Sequence, residues 1–121
     1  MSKQTDAFRI GQDSKPYTHL NFKNDPDEFQ FAIITDNAGA ARPGVFPKGV
    51  EMVNWLHPEF VVHAGDLIEG YSEDEEQIRA WWQEVDEWLE QLEMPFFFVP
   101  GNHDLNSDAS IKLWRERFGS E

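Results

Sequence analysis

Three short apolar runs constrain this chain most, because each one ends in a polar cluster. FQFAIIT (29–35) runs into Asp36-Asn37, EFVVHA (59–64) into Gly65-Asp66, and FFFV (96–99), through Pro100, into Gly101-Asn102-His103-Asp104. Runs of this length, rich in Phe, Ile and Val and close to continuously apolar, predict strands of a parallel sheet, whose helical crossovers bury both faces. A buried strand accounts for the Phe and Val. It does not account for three polar side chains in a row at its exit.

The stretches between the runs read as helices. Pro47 suits a first helical turn, and Phe46, Val50 and Val53 share one face of a helix running to about His57, which Pro58 ends. Ser72, with Glu75 three residues on, predicts an N-cap. From there Ile78, Trp81, Trp82, Val85, Leu89 and Leu92 form an apolar stripe on a helix expected to reach about Glu93. A last helix is expected over 109–118, with Ile111, Trp114 and Phe118 aligned and Gly119 as its stop. The order is βαβαβα, an α/β fold. Residues 1–28 are polar, carry Pro16 and Pro26, and read as a lead-in arm; residues 29–121 form the domain.

Composition closes off several classes. The net charge of −13 gives no attraction to nucleic acid or anionic lipid. With no cysteine there is no disulfide, thiolate metal site or thiol nucleophile. No apolar run is long enough to span a membrane, and the start, MSKQTDAFRIGQDSKP, lacks the core of a signal peptide, so a cytoplasmic location is the default expectation.

In a parallel sheet all carboxyl ends point the same way, so the three polar clusters are expected to converge on one edge, where ligands of α/β sheets bind. Asp36, Asp66, Asn102 and His103 are hard oxygen and imidazole donors, suited to Mg, Mn, Fe or Zn. Two such ions roughly 3.5–4 Å apart can clamp a phosphate and activate a water. Taken singly, Asp36 or Gly65-Asp66 reads as a turn, His63 as strand packing, His57 and His19 as surface or helix-end residues, and the Trp stripe as core. Three ordered strand exits with one chemistry carry the functional reading.

The Asp at the first exit, "GD" at 65–66 and "GNHD" at 101–104 resemble the calcineurin-like metallophosphoesterase superfamily, whose pattern runs D-x-H, G-D, G-N-H-[DE] and then two further His motifs. The resemblance covers residues 29–104. It implies a four-layer α/β/β/α sandwich, of which this chain's βαβαβα would be the amino-terminal half, and a dinuclear centre. Carried over, Asp36 would bind the first metal, Asp66 would bridge both and Asn102 would bind the second. His103 would stabilise the phosphate or protonate the leaving group, and Asp104 would orient His103 by a hydrogen bond. Ala38 stands where the pattern has its first His, with Arg42 nearby as a cation that could reach a phosphate. The later His motifs have no counterpart within 121 residues, so a fragment or truncated product, and very low activity of the chain alone, are expected.

The function expected is hydrolysis of small phosphate mono- or diesters by a metal-bound hydroxide. The alternative is a non-catalytic remnant serving as a structural or interaction module, with self-association through an uncovered sheet face. A flavodoxin-like nucleotide module fits less well, because no glycine-rich phosphate loop follows the first strand.

Overall fold

A computed structural model of the chain describes residues 17–22, 27–39 and 42–119. The elements alternate as expected: β1 (Phe31–Ile34), α1 (Val45–Leu56), β2 (Phe60–His63), α2 (Glu75–Leu89), β3 (Phe96–Phe98) and α3 (Asp108–Phe118). The three strands form one parallel sheet in the order β1-β2-β3, with Phe31 opposite Phe60, Ile34 opposite His63, and His63 opposite Phe98.

This order corrects the expectation of a sheet covered on both faces. Right-handed crossovers that always step in the same direction put every helix on the same side. The side chains show it. Ala32, Ile34, Val61, His63, Phe96 and Phe98 share one face by strand alternation. Against that face lie Phe46 of α1, 6.0 Å from His63, and Trp114 and Phe118 of α3, 5.8 and 4.9 Å from Phe98. Trp82 of α2 meets Trp114 at 5.7 Å. The core is built here, with Val61, Ile78, Phe96 and Leu113 fully buried.

The other face carries Phe31, Ile33, Phe60, Val62 and Phe97. Phe31 stacks on Phe60 at 5.0 Å, yet it is 51% exposed and Ile33 67%. Phe22 covers the β3 side of this face, 5.9 Å from Phe97. Thr18 closes the β3 edge: its N–H donates to Phe96 O (2.9 Å) and its hydroxyl accepts from Phe96 N (3.0 Å). Of the polar lead-in, residues 1–16 and 23–26 lie outside the described residues.

Helix ends differ from the sequence reading in physical detail. Asp74, not Ser72, caps α2, accepting from the N–H groups of Glu76 (3.0 Å) and Gln77 (3.4 Å). Ser72 supports the cap, its hydroxyl accepting from Asp74 N–H. The helix stops at Leu89, short of Glu93, because Asn54 of α1 binds the chain beyond it, donating to Gln91 O (2.6 Å) and accepting from Glu93 N–H (3.2 Å). A capping box of Ser107 and Ser110 starts α3. Among the described residues no helix is long and apolar enough to cross a membrane.

Candidate active site at the strand exits

The ladder between β1 and β2 does not end with the strands. Asp36 N–H donates to Gly65 O (3.2 Å), Asn37 N–H to Asp66 O (2.7 Å), and the Asn37 amide to Leu67 O (3.1 Å). The first two exits are therefore joined backbone to backbone. Asp36 (φ 62) and Asp66 (φ 66) both adopt the left-handed conformation, which Asp tolerates better than most residues and which turns the chain sharply at the sheet edge.

The second and third exits are pressed together. A Cβ at Gly65 would lie 2.7 Å from Gly101 N, and one at Gly101 would lie 2.2 Å from Asp66 Oδ1, so only glycine fits at either position. That contact lets His103 N–H donate to Asp66 Oδ1 at 2.8 Å. Asp66 is half-buried and fixed, while Asp36 is exposed and held by the Thr35 hydroxyl on its Oδ2 (2.9 Å).

Asp104 departs from the expected role. It is fully buried, and its carboxylate accepts four backbone N–H groups: Asp66 (2.8 Å), Leu67 (3.0 Å), Ile68 (3.2 Å) and Gly101 (2.9 Å). Among the described residues no hydrogen bond joins this carboxylate to His103. Asp104 is the clasp that ties the Gly65–Ile68 turn to the GNHD turn. Burial pushes its pKa up, against the pull of the four N–H groups. His103 is oriented instead by the Glu69 carbonyl, which meets its Nδ1. A carbonyl can only accept, so Nδ1 carries the proton and Nε2 is the nitrogen left for chemistry.

His63 packs in the core as expected, between Phe46 and Phe96, but it also supports the site. Its Nδ1 accepts the Gly65 N–H at 3.0 Å, and its buried Nε2 has no hydrogen-bond partner among the described residues. Burial pushes its pKa down to about 4, although the charges of Asp36 and Asp66 pull the other way. Glu69 and Tyr71 are the contacts that sequence reasoning missed. Glu69 Oε1 accepts from Gly39 N–H (3.0 Å), and Tyr71 hydroxyl from the Asn102 amide (3.0 Å). The signal lay in "EGY", where a glycine must turn the chain back onto the GNHD segment.

Beside Asp36 a cleft of about 410 Å³ opens between β1 and α1. Its walls include Ala38, Val45, Phe46 and Val50, and Arg42 lines it too. Ala38 offers only a methyl group where the resemblance expects an imidazole.

The calcineurin-like phosphoesterase family profile matches residues 29–120, from β1 through α3. The chain belongs to the calcineurin-like phosphoesterase family, which sets it among the phosphoesterase-type hydrolases. No curated protein and no solved structure matches it.

The family implies divalent metal, and the donor set can be tested against that. Hydrogen bonds leave Asp36 Oδ1, Asp66 Oδ2 and Asn102 Oδ1 without a donor among the described residues. By type, these oxygens fit a hard divalent cation. By number they supply only part of a shell, and among the described residues no group of three or more His, Cys, Asp or Glu is placed to hold a metal.

Proposed function

We propose that this protein is a metal-dependent hydrolase of phosphate mono- or diesters, acting at the edge where β1, β2 and β3 end. The observation that supports this most is the union of the three exits: Asp36, Asp66 and Asn102 lie on adjoining turns locked by the Asp104 clasp, with His103 among them. Asp36, Asp66 and Asn102 would hold one or two divalent ions, of which Mn, Fe, Zn and Mg all suit the donor type. When bound, such ions polarise the phosphate and lower the pKa of a coordinated water.

His103 supplies the proton chemistry. With Nδ1–H held by Glu69 O, the imidazolium can give its Nε2 proton to the leaving-group oxygen and remain correctly oriented as the neutral ring. Asp104 serves as a positioning residue for the two turns rather than for His103. Arg42 is the nearby cation suited to a phosphate oxygen.

The partial donor set argues for slow turnover by these 121 residues. The test is hydrolysis of an aryl phosphodiester with millimolar Mn²⁺. Slow turnover that needs Mn²⁺ and disappears in Asp66→Asn is expected. Turnover indifferent to both contradicts the proposal. A second reading, a non-catalytic module, is favoured by Ala38 and by the absence of a larger ligand group among the described residues. It predicts no Mn²⁺-dependent turnover above buffer.

A further inference from the structure

Residues 69–71 touch all the strand exits. They lie on the loop that leaves β2 through Gly65-Asp66, the Glu69 carboxylate takes the Gly39 N–H of the β1 exit (3.0 Å), and the Glu69 carbonyl takes His103 Nδ1 at the β3 exit. Gly70 (φ 69) presses on the same turn so closely that a Cβ would lie 1.9 Å from His103 O. Tyr71 completes the contact. Its hydroxyl accepts from Asn102 Nδ2 at 3.0 Å, and its ring meets the His103 ring edge-on at 4.8 Å.

Tyr71 is placed there against its own preference. It has φ 56, a left-handed conformation that a bulky aromatic residue seldom takes. Burial does not offset this strain, because the residue is 65% exposed. The hydrogen bond that its hydroxyl accepts from Asn102 is exposed as well, and the net worth of such a bond is only roughly two- to tenfold in an equilibrium constant. A left-handed backbone at an exposed residue that contacts two proposed site residues points to a role at the site rather than in folding.

We infer that Tyr71 is a positioning residue of the site: its hydroxyl holds the Asn102 amide by Nδ2, so that Oδ1 would be the end offered to a cation, and its ring fixes the His103 imidazole. The inference rests on the proposed role of Asn102 as a ligand. The amide group explains why the hydroxyl matters. An Asn side chain presents either an oxygen or an NH₂ to a cation, and only the oxygen binds. With Nδ2 committed to Tyr71, the oxygen is the end left free. The ring works separately, by closing off rotation of the imidazole that the Glu69 carbonyl already holds by one nitrogen.

Three variants test this with Mn²⁺ alone as the probe. Tyr71→Phe keeps the ring and removes the hydroxyl. Tyr71→Asn removes both and suits the left-handed backbone. Asp66→Asn reports on the metal reading itself. Calorimetry should show Mn²⁺ affinity lowered by roughly two- to tenfold in Tyr71→Phe, the worth of one hydrogen bond. The Asn102 side-chain amide resonances of the metal-free protein should move in the same variant. Tyr71→Asn should melt at a higher temperature than the parent while binding Mn²⁺ more weakly, a split that a merely structural tyrosine would not give. Unmoved Asn102 resonances with parental Mn²⁺ affinity in Tyr71→Phe, or a lowered melting temperature in Tyr71→Asn, would overturn the inference. If Asp66→Asn leaves Mn²⁺ binding intact, the metal reading fails on its own, and the Asn102 resonances of Tyr71→Phe still decide whether Tyr71 holds that amide.

Discussion

Gly101 shows how tightly single residues determine this site. Its missing side chain is the space that Asp66 Oδ1 occupies, 2.2 Å from where a Cβ would stand. Gly101→Ala should displace Asp66, and with it the His103 N–H bond, so Mn²⁺ binding and thermal stability should both fall. Retention of both, by calorimetry and thermal melting, would mean the turns give way more easily than the geometry implies. His63 makes a pH prediction. Its unfolded pKa is about 6.5 and its folded value is about 4, so the unfolded chain binds the extra proton between these values. Stability is therefore full above pH 6.5 and falls as pH drops towards 4, by at most about 3 kcal/mol. Asp104, whose pKa is raised, contributes with the opposite sign, since its folded form takes up a proton first. His63→Asn keeps an acceptor for the Gly65 N–H and removes the titration. It should flatten the acid slope of denaturant stability measured between pH 4 and 6.5, even if it lowers the plateau. An unchanged slope would assign acid sensitivity elsewhere.

At the scale of elements, the helices are held by aromatic packing more than by charge. Trp114 and Trp82 are only 1% exposed and meet at 5.7 Å, with Phe98 and Phe118 completing the cluster. Trp114→Ala should cost about 3–5 kcal/mol by denaturant unfolding. The Arg117–Asp86 pair at 2.6 Å joins α3 to α2 but is partly exposed, so Arg117→Ala should cost about 1 kcal/mol or less. The helix faces were legible because Phe46, Val50 and Val53, and Ile78, Trp82 and Val85, recur with helical period. The strands were legible as unbroken apolar runs. The α2 cap was misread because Ser72 and Asp74 are both good capping residues, and only the tertiary placement chooses between them. The α2 stop was not legible at all, since it depends on Asn54, 37 residues from its partner Gln91.

For the whole molecule, the sheet faces are the main feature that periodicity did not reveal. An apolar run reads the same whether helices cover one face or two. The order β1-β2-β3 decides it, and strand order comes from long-range pairing. The open face, with Phe31 and Ile33 more than half exposed, should bind the dye ANS, and Ile33→Lys should reduce that binding with little change in melting temperature. The convergence of the three strand exits was legible to the same depth as the sheet. Asp36, Asp66, Asn102 and His103 could be expected on one edge because parallel strands must deliver their exits there; their roles belong to the proposal. Asp104 was given the wrong partner, because sequence proximity to His103 does not show that four N–H groups from two turns claim its carboxylate. Glu69 and Tyr71 were missed because their contacts depend on the left-handed turn at Gly70. The central claim is that the joined exits bind a divalent cation through Asp66. Calorimetric titration with Mn²⁺ of the parent chain, Asp66→Asn and the exposed-helix control Glu76→Gln tests it most directly. The account predicts measurable binding that Asp66→Asn abolishes and Glu76→Gln leaves nearly unchanged. Equal loss in both variants, or no loss in either, would contradict it.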